Sequence, residues 1–534
     1  MSWEKLKQVV QEEAAIQDKT VVLVSADHGS GRASVQPFRG QAYQEAAEAE
    51  AMRIDVVKNV KPASGAQALT SVSKTKIAYT PRKHGLLIGE ELYFLPDEVE
   101  AYGMIVKGKL NREALLHALP RHGRADDWHT YKELVTEEWL HVHVFETDAW
   151  YGGEEGVRPL FRGRRTHEEL TESVLEDAVR TAATHYFQHA VSSQGQFVYA
   201  FNPVTNEVST AYNMLRHAGT VYAMLQTYAH TNEADVLRHA EKAVRFLVRH
   251  MEPVTVNGRS VMALVHKDEI KLGGHSLALL ALSQYIDVTG DKQFLPVMQG
   301  LAEWMLATQD ETKKFAIHKM SFKSGKTSPF TSDYYPGEAI LGLVRLYHHD
   351  GDERWLDAAE DEAHYLINDR DRDADKQSIP HDHWLLYALN DLYPLRPKQM
   401  YVDHAYFIGE AIMDAQRLEK TEVPEWHGSY DMKGTPRSTP TACRSEGLSA
   451  LAALAERVGD TDMQRRCIEA AKAGILFQLR MQYRRESVMF YDYKPLCIGA
   501  VHTSLGSYEI RNDFTQHSVS SFLGLLKQMH NGTQ

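Results

Sequence analysis

At 534 residues, with 43% hydrophobic and 25% charged residues, the chain is too long for one ordinary domain and apolar enough to bury a large core. Its net charge of -13 excludes a typical nucleic-acid binder, which needs a basic stripe to neutralise phosphate. The three cysteines fit neither a metal site nor a disulfide framework, so a reducing compartment is expected.

The N-terminal MSWEKLKQVVQEEAAIQDK reads as a charged amphipathic helix without the apolar core of a signal peptide, and no apolar run approaches a membrane span. A cytoplasmic protein with no membrane partner follows. Thr20 to Ser25 reads as a short buried strand. In the turn behind it, Gly29 and Gly31 match no phosphate-loop pattern. Ala42 to Val60 is expected to be a second helix, followed by a loop near Pro62. From Lys76 to Thr147 the pattern becomes mixed: a hairpin in GLLIGEELYFLPDEV, a helix in LNREALLHALP, and an alternating strand in WLHVHVFETDAW. His141 and His143 fall on one face of that strand, where a solvated or packed role outweighs metal binding. This stretch of about seventy residues weakly resembles the later half of AMMECR-type domains, and no function follows from the resemblance. The basic run Arg158 to Arg165 reads as a linker.

Beyond residue 165 one design repeats. Six segments carry a His or Glu near their start and then about ten residues that are apolar on nearly every face. They begin at Tyr212, Leu272, Tyr334, His381, Thr439 and Asp513, and their polar markers are His217, His275, Glu338, His383, Glu446 and His517. A helix that is apolar all round is surrounded by other helices. Five are followed by a charged amphipathic helix: Asn232 to Glu252, Asp291 to Gln309, Asp352 to Asp369, Pro397 to Lys420 and Thr461 to Tyr483. The sixth partner, Glu168 to Gln194, precedes the first inner helix, so the last inner helix can close a circle against it. The expected fold is an all-α (α/α)6 toroid with short β-hairpin insertions (residues 166–534), preceded by a smaller α+β domain (residues 1–165).

In a closed ring of alternating helices the polar starts of the inner helices fall at one mouth. Four β excursions enter inner helices and should wall a cleft there, where binding residues concentrate. They are FVYAFNPVTNEVS, VTVNGRSVMALVHKDEIKLGG, FAIHKMSFKSGKTSPFTSDYY and SVMFYDYKPLCIGAVHTSLGSYEI. The inventory suits a carbohydrate: aromatic platforms in Tyr334, Tyr335 and Trp384, planar cations in Arg216, Arg444 and Arg511, and hydroxyl-binding groups in His217, His275 and Asp382.

The alternating helices, with RSEGL and RNDFTQH at the last two inner starts, resemble the six-hairpin toroid superfamily across about residues 168–531. That superfamily includes glycoside hydrolases, uronate-processing enzymes and N-acylglucosamine 2-epimerases. In the hydrolytic reading, the leading one, Glu446 and Asp513 act as the carboxylate pair, with Glu338 as the alternate. Arg444 and Arg511 lie beside them in sequence and would lower their pKa values. The alternative is a sugar epimerase. The resemblance then places the proton-exchanging pair at His383 and His517, counted by helix, although the surrounding residues differ from the epimerase motifs. A third reading is a glycan-binding or scaffold protein without catalysis. No cofactor is implied, and zinc is disfavoured because only Cys443 lies near the expected rim.

Overall fold

The computed structural model describes residues 3–63, 76–122, 141–419, 423–430 and 434–531. The expected loop after Pro62, part of the AMMECR-like stretch and the end of the helix expected at Lys420 lie outside them. The chain forms two compact units. The first comprises Met1–Glu168 with two returns of the chain, Asn202–Glu207 and Tyr483–Ile498; the second comprises Glu169–Phe201, Val208–Gln482 and Gly499–Gln534.

The first unit is built on a seven-stranded antiparallel sheet. Its strands are β1 (Val21–Asp27), β2 (Ser34–Arg39), β3 (Ala51–Pro62), β4 (Gly85–Ile88), β5 (Leu92–Phe94), β6 (Val142–Gly153) and β7 (Gly156–Leu160). They run in the order β2-β1-β3-β6-β4-β5, with β7 also paired to β6. Helix α1 (Trp3–Glu13) lays Trp3, Leu6 and Val10 against Val22, Val24, Ile54 and Trp150. Helices α2 (Pro96–Ala101) and α3 (Arg112–Ala118) cover a second cluster around Leu86, Phe94 and Val144.

The helix expected over Ala42–Val60 is a short 3-10 turn at Gly40–Glu45 followed by β3. The alanine and glutamate content favours helix locally, but Met52, Ile54 and Val56 complete the apolar face that α1 needs, and tertiary packing overrides propensity. The Tyr483–Ile498 return is anchored by Lys494 on Asp27 at 2.5 Å and by Glu486 accepting both Nε and an Nη of Arg165 at 2.5 and 2.9 Å.

The second unit opens with α4 (Glu172–Thr181), which continues through one π turn at Ala182–Tyr186. Then come α5 (Met214–Thr231), α6 (Ala234–Val248), α7 (Leu272–Thr289), α8 (Leu295–Ala307), α9 (Tyr335–Asp350), α10 (Glu353–Tyr365), α11 (His383–Leu392), α12 (Gln399–Asp414), α13 (Ser438–Val458), α14 (Thr461–Leu479) and α15 (Asn512–Asn531). Helix α5 packs on α7, α7 on α9, α9 on α11, α11 on α13, α13 on α15, and α15 back on α5. The six apolar segments therefore form a closed ring. Each has an amphipathic neighbour outside it: α6, α8, α10, α12, α14 and, for α15, α4.

The inner helices are apolar all round because each is flanked on both sides and backed by its partner. Fourteen of the eighteen residues of α7 are buried, and each fully buried leucine contributes about 2 kcal/mol. Four of them (α5, α7, α9 and α13) stop at a left-handed residue, Asn232, Gly290, Gly351 or Gly459, which releases the chain toward the outer helix. Of the expected β excursions, Met251–Val256, Arg259–His266, Glu269–Lys271 and Lys319–Ser321 make a four-stranded sheet, and His502–Ser504 pairs with Ser507–Arg511.

Candidate active site

The N-terminal halves of all six inner helices border one cleft of about 440 Å³. Asn213 and Arg216 come from the start of α5, Leu277 from α7, Tyr335 and Glu338 from α9, His383 and Trp384 from α11, Cys443 and Arg444 from α13, and Asp513 and His517 from α15. Tyr334, His381 and Arg437 border it from the residues just before these helices.

At the centre lie two imidazoles. The rings of His383 and His517 are 5.4 Å apart, centroid to centroid, and nearly perpendicular. His517 Nδ1–H donates to Glu446 Oε1 at 2.8 Å. Burial works against charge on this imidazole, but Cys443 and Glu446 outweigh it and hold the pKa well above the ordinary value. His383 is 4% exposed, and neither of its ring nitrogens has a hydrogen-bond partner. Burial, reinforced by the charges of His517 and Arg444, pushes its pKa well below the ordinary value. The result is a neutral imidazole facing a protonated one.

Glu446 itself is 2% exposed, and its second oxygen accepts a long 3.5 Å bond from the Tyr387 hydroxyl. Glu338 is also buried at the cleft, and burial followed by repulsion from Asp382 raises its pKa well above the carboxylate range. Asp513 accepts from Arg511 through Nε at 2.5 Å and an Nη at 2.9 Å, and from Arg216 Nε at 2.9 Å, while Arg216 also donates to the Tyr199 hydroxyl. Arg444 Nε donates to His381 Nδ1 at 2.9 Å; burial and this guanidinium lower the His381 pKa to about 4, so its ring stays a neutral acceptor.

The residues expected at the site thus divide. Glu338, His383, Glu446 and His517 converge with Arg216, Tyr334, Tyr335, Trp384, Arg444 and Asp513 around the cleft. His217 and His275 do not border it. His217 is fully buried, accepting from the Tyr212 hydroxyl at 2.7 Å and donating to the Ala243 carbonyl at 2.9 Å. His275 accepts the Leu264 N–H at 3.0 Å and lies against Trp304. Burial lowers both to about 3. Each ties backbone outside its own helix to the ring. Asp382 caps α11 by accepting from the amides of Trp384 and Leu385, and burial raises its pKa to about 7. Arg511 reaches the site through Asp513.

Tyr387, which sequence reasoning left out, stands one helical turn after His383; that i+4 spacing was the available signal.

His383, Cys443, Glu446 and His517 place one donor atom each within 4.8 Å of one another, close enough to surround an ion. The cluster as folded is balanced by a proton instead: His517 spends Nδ1–H on Glu446 Oε1, so these two groups face each other rather than a shared ion.

No protein-family model matches the sequence, and no curated protein matches it. Solved structures do. Cellobiose 2-epimerase from Bacillus thermoamylovorans aligns with 67% of this chain and 100% of its own at 13% identity and a TM-score of 0.51. Cellobiose 2-epimerase from Spirochaeta thermophila aligns with 68% of this chain and 98% of its own at 13% identity and a TM-score of 0.50. A D-mannose isomerase aligns with 67% and 98% at 14% identity and a TM-score of 0.50. At such identities the likeness is one of fold alone.

Proposed function

We propose that the second unit is an (α/α)6 toroid that acts on carbohydrate, isomerising or epimerising a reducing sugar at the carbon next to its carbonyl. The observation that carries this reading is the pair at the cleft centre, a neutral His383 facing a protonated His517. Proton exchange at carbon needs one group ready to accept and one ready to give, and imidazole does both near neutral pH.

In the open-chain sugar, His383 takes the proton from the carbon beside the carbonyl. The C–H electrons form a carbon–carbon double bond and the carbonyl oxygen takes the negative charge. His517 then returns a proton. Delivery to the opposite face of the same carbon, with the carbonyl double bond re-formed, gives the epimer; delivery to the former carbonyl carbon, while the proton of the neighbouring hydroxyl passes to the former carbonyl oxygen and a new carbonyl forms at that neighbour, gives the isomer. Glu446 keeps the donor charged and oriented, and the protonated Glu338 offers an O–H to the developing oxyanion. The likeness in fold to two 2-epimerases and an isomerase supports this choice.

A proton NMR time course in deuterated buffer, with D-mannose, cellobiose, N-acetylated amino sugars and uronic acids, tests it. Deuterium should enter the carbon next to the carbonyl without cleavage, and His383→Asn and His517→Asn should each slow this by about 10²-fold to 10⁴-fold. New reducing ends without such exchange would replace it with the hydrolytic reading. A specific feature favours that second reading: Glu338 is a protonated acid at the cleft, and Asp513 is a carboxylate bordering the same space.

A further inference from the structure

The reacting pair belongs to a larger donor set drawn from three inner helices that are neighbours in the ring. His383 comes from α11, Cys443 and Glu446 from α13, and His517 from α15. Cys443 and Glu446 are three residues apart and share one face of α13. The sequence offered only Cys443 near the rim, whereas the fold brings two imidazoles and a carboxylate to it, with one atom of each within 4.8 Å of the others. Tetrahedral zinc keeps its donors about 3.3 to 3.8 Å apart, so side-chain shifts of about 1 Å close this set around an ion.

Two further observations point to a ligand here. His383 is 4% exposed, and neither ring nitrogen has a hydrogen-bond partner, a costly arrangement for a buried polar group that nothing engages. His383, Cys443 and His517 also border the 440 Å³ cleft, which gives an ion its way in. Behind them the Tyr387 hydroxyl stands 3.5 Å from Glu446, where it orients the carboxylate as the outer partners of metal ligands do.

We infer that this cluster is an inhibitory site for zinc or a similar thiophilic divalent cation, held by His383, Cys443, Glu446 and His517. The protein works without the metal, because in its absence a proton joins His517 to Glu446. Proton and metal are alternatives at one place. When the ion enters, it forms bonds to two ring nitrogens, the sulfur and a carboxylate oxygen, while the thiol proton and the imidazolium proton pass to water. Both imidazoles are then occupied and neither exchanges a proton with a sugar. Thiolate and imidazole select zinc or cobalt over magnesium and calcium, which prefer oxygen ligands. The inhibition rests on the proton-exchange reading above; the binding does not.

Cobalt(II), which takes zinc's place and is coloured, tests the site without turnover. One equivalent added to the full-length, chelator-treated protein should give a near-ultraviolet thiolate-to-cobalt band, and zinc should displace it while magnesium does not. Cys443→Ser should abolish the band, and His383→Asn should weaken zinc binding about tenfold or more in calorimetry. Cys467→Ala and Cys497→Ala, at buried cysteines outside the cluster, should keep the band. Circular dichroism of each variant confirms that it is folded. No stoichiometric binding, a cobalt spectrum without the thiolate band, or a band that survives Cys443→Ser would overturn the inference. In the deuterium-exchange assay added zinc should stop the reaction and EDTA restore it, and exchange that continues with the site loaded would also overturn it. A cobalt–thiolate complex in a protein that never exchanges deuterium would sink the epimerase reading and leave the metal site standing.

Discussion

Glu446 Oε1 lies 2.8 Å from His517 Nδ1, joining the fifth inner helix to the sixth at the floor of the cleft. Burial opposes charge on this ring, but Cys443 and the Glu446 contact together hold its pKa well above the ordinary value. Because its folded-state pKa is raised, the proton stabilises the fold fully below the unfolded value of about 6.5, and that stabilisation is lost as pH rises through the folded value. Glu446→Gln should weaken the effect, leaving the part that Cys443 supplies, lower the His517 titration in nitrogen-15 NMR, and slow proton exchange by about 10²-fold. A His517 that titrates identically in the variant would show that Glu446 does not set its charge.

His217 and His275 pull stability the other way. Both are neutral in the folded state, with values lowered by burial to about 3. Their contribution is complete above about pH 6.5 and is lost as pH falls toward 3, since the unfolded chain then binds protons that the folded one refuses. Each adds a slope of about 1.4 kcal/mol per pH unit between these limits. Urea unfolding followed from pH 7 to pH 4 should show the decline, and His275→Phe, which keeps a ring against Trp304, should show a shallower one. Parallel wild-type and variant curves would contradict the assignment.

Gly447 lets two inner helices approach beside His383. A Cβ there would lie 2.8 Å from Leu386 Cδ1 and 3.1 Å from the His383 Cα. Leucine can rotate away, but the helix backbone at His383 yields only by moving. Gly447→Ala should cost about 1 to 3 kcal/mol in denaturant unfolding and lower kcat for proton exchange by displacing His383. Unchanged stability and kcat would mean the ring relaxes freely at this contact.

The proton-balanced cluster of His383, Cys443, Glu446 and His517 predicts an enzyme indifferent to chelators. Dialysis against EDTA, with metal content measured before and after, should leave deuterium exchange unchanged. Loss of activity restored by one equivalent of a divalent ion would replace the imidazole pair with metal chemistry.

The sequence alone revealed the six inner helices, their order, their outer partners and the chargeable residues at their starts. These are local properties: a helix apolar on every face must be surrounded, and its periodicity is visible within eighteen residues. Which of those starts reach the cleft was a tertiary decision. His217 and His275 are each the fourth residue of their helices and are satisfied away from the cleft by Tyr212, Ala243 and Leu264, whereas Glu446, the ninth residue of α13, meets His517. Tyr387 meets Glu446 only because α11 and α13 are neighbours in the ring. Likewise β3 is a strand because α1 and the adjoining strands need its apolar face, against its local helical composition. The return of Tyr483–Ile498 to the first unit depends on pairs such as Asp27 with Lys494, hundreds of residues apart, and such burial and charge pairing exist only once the chain has folded.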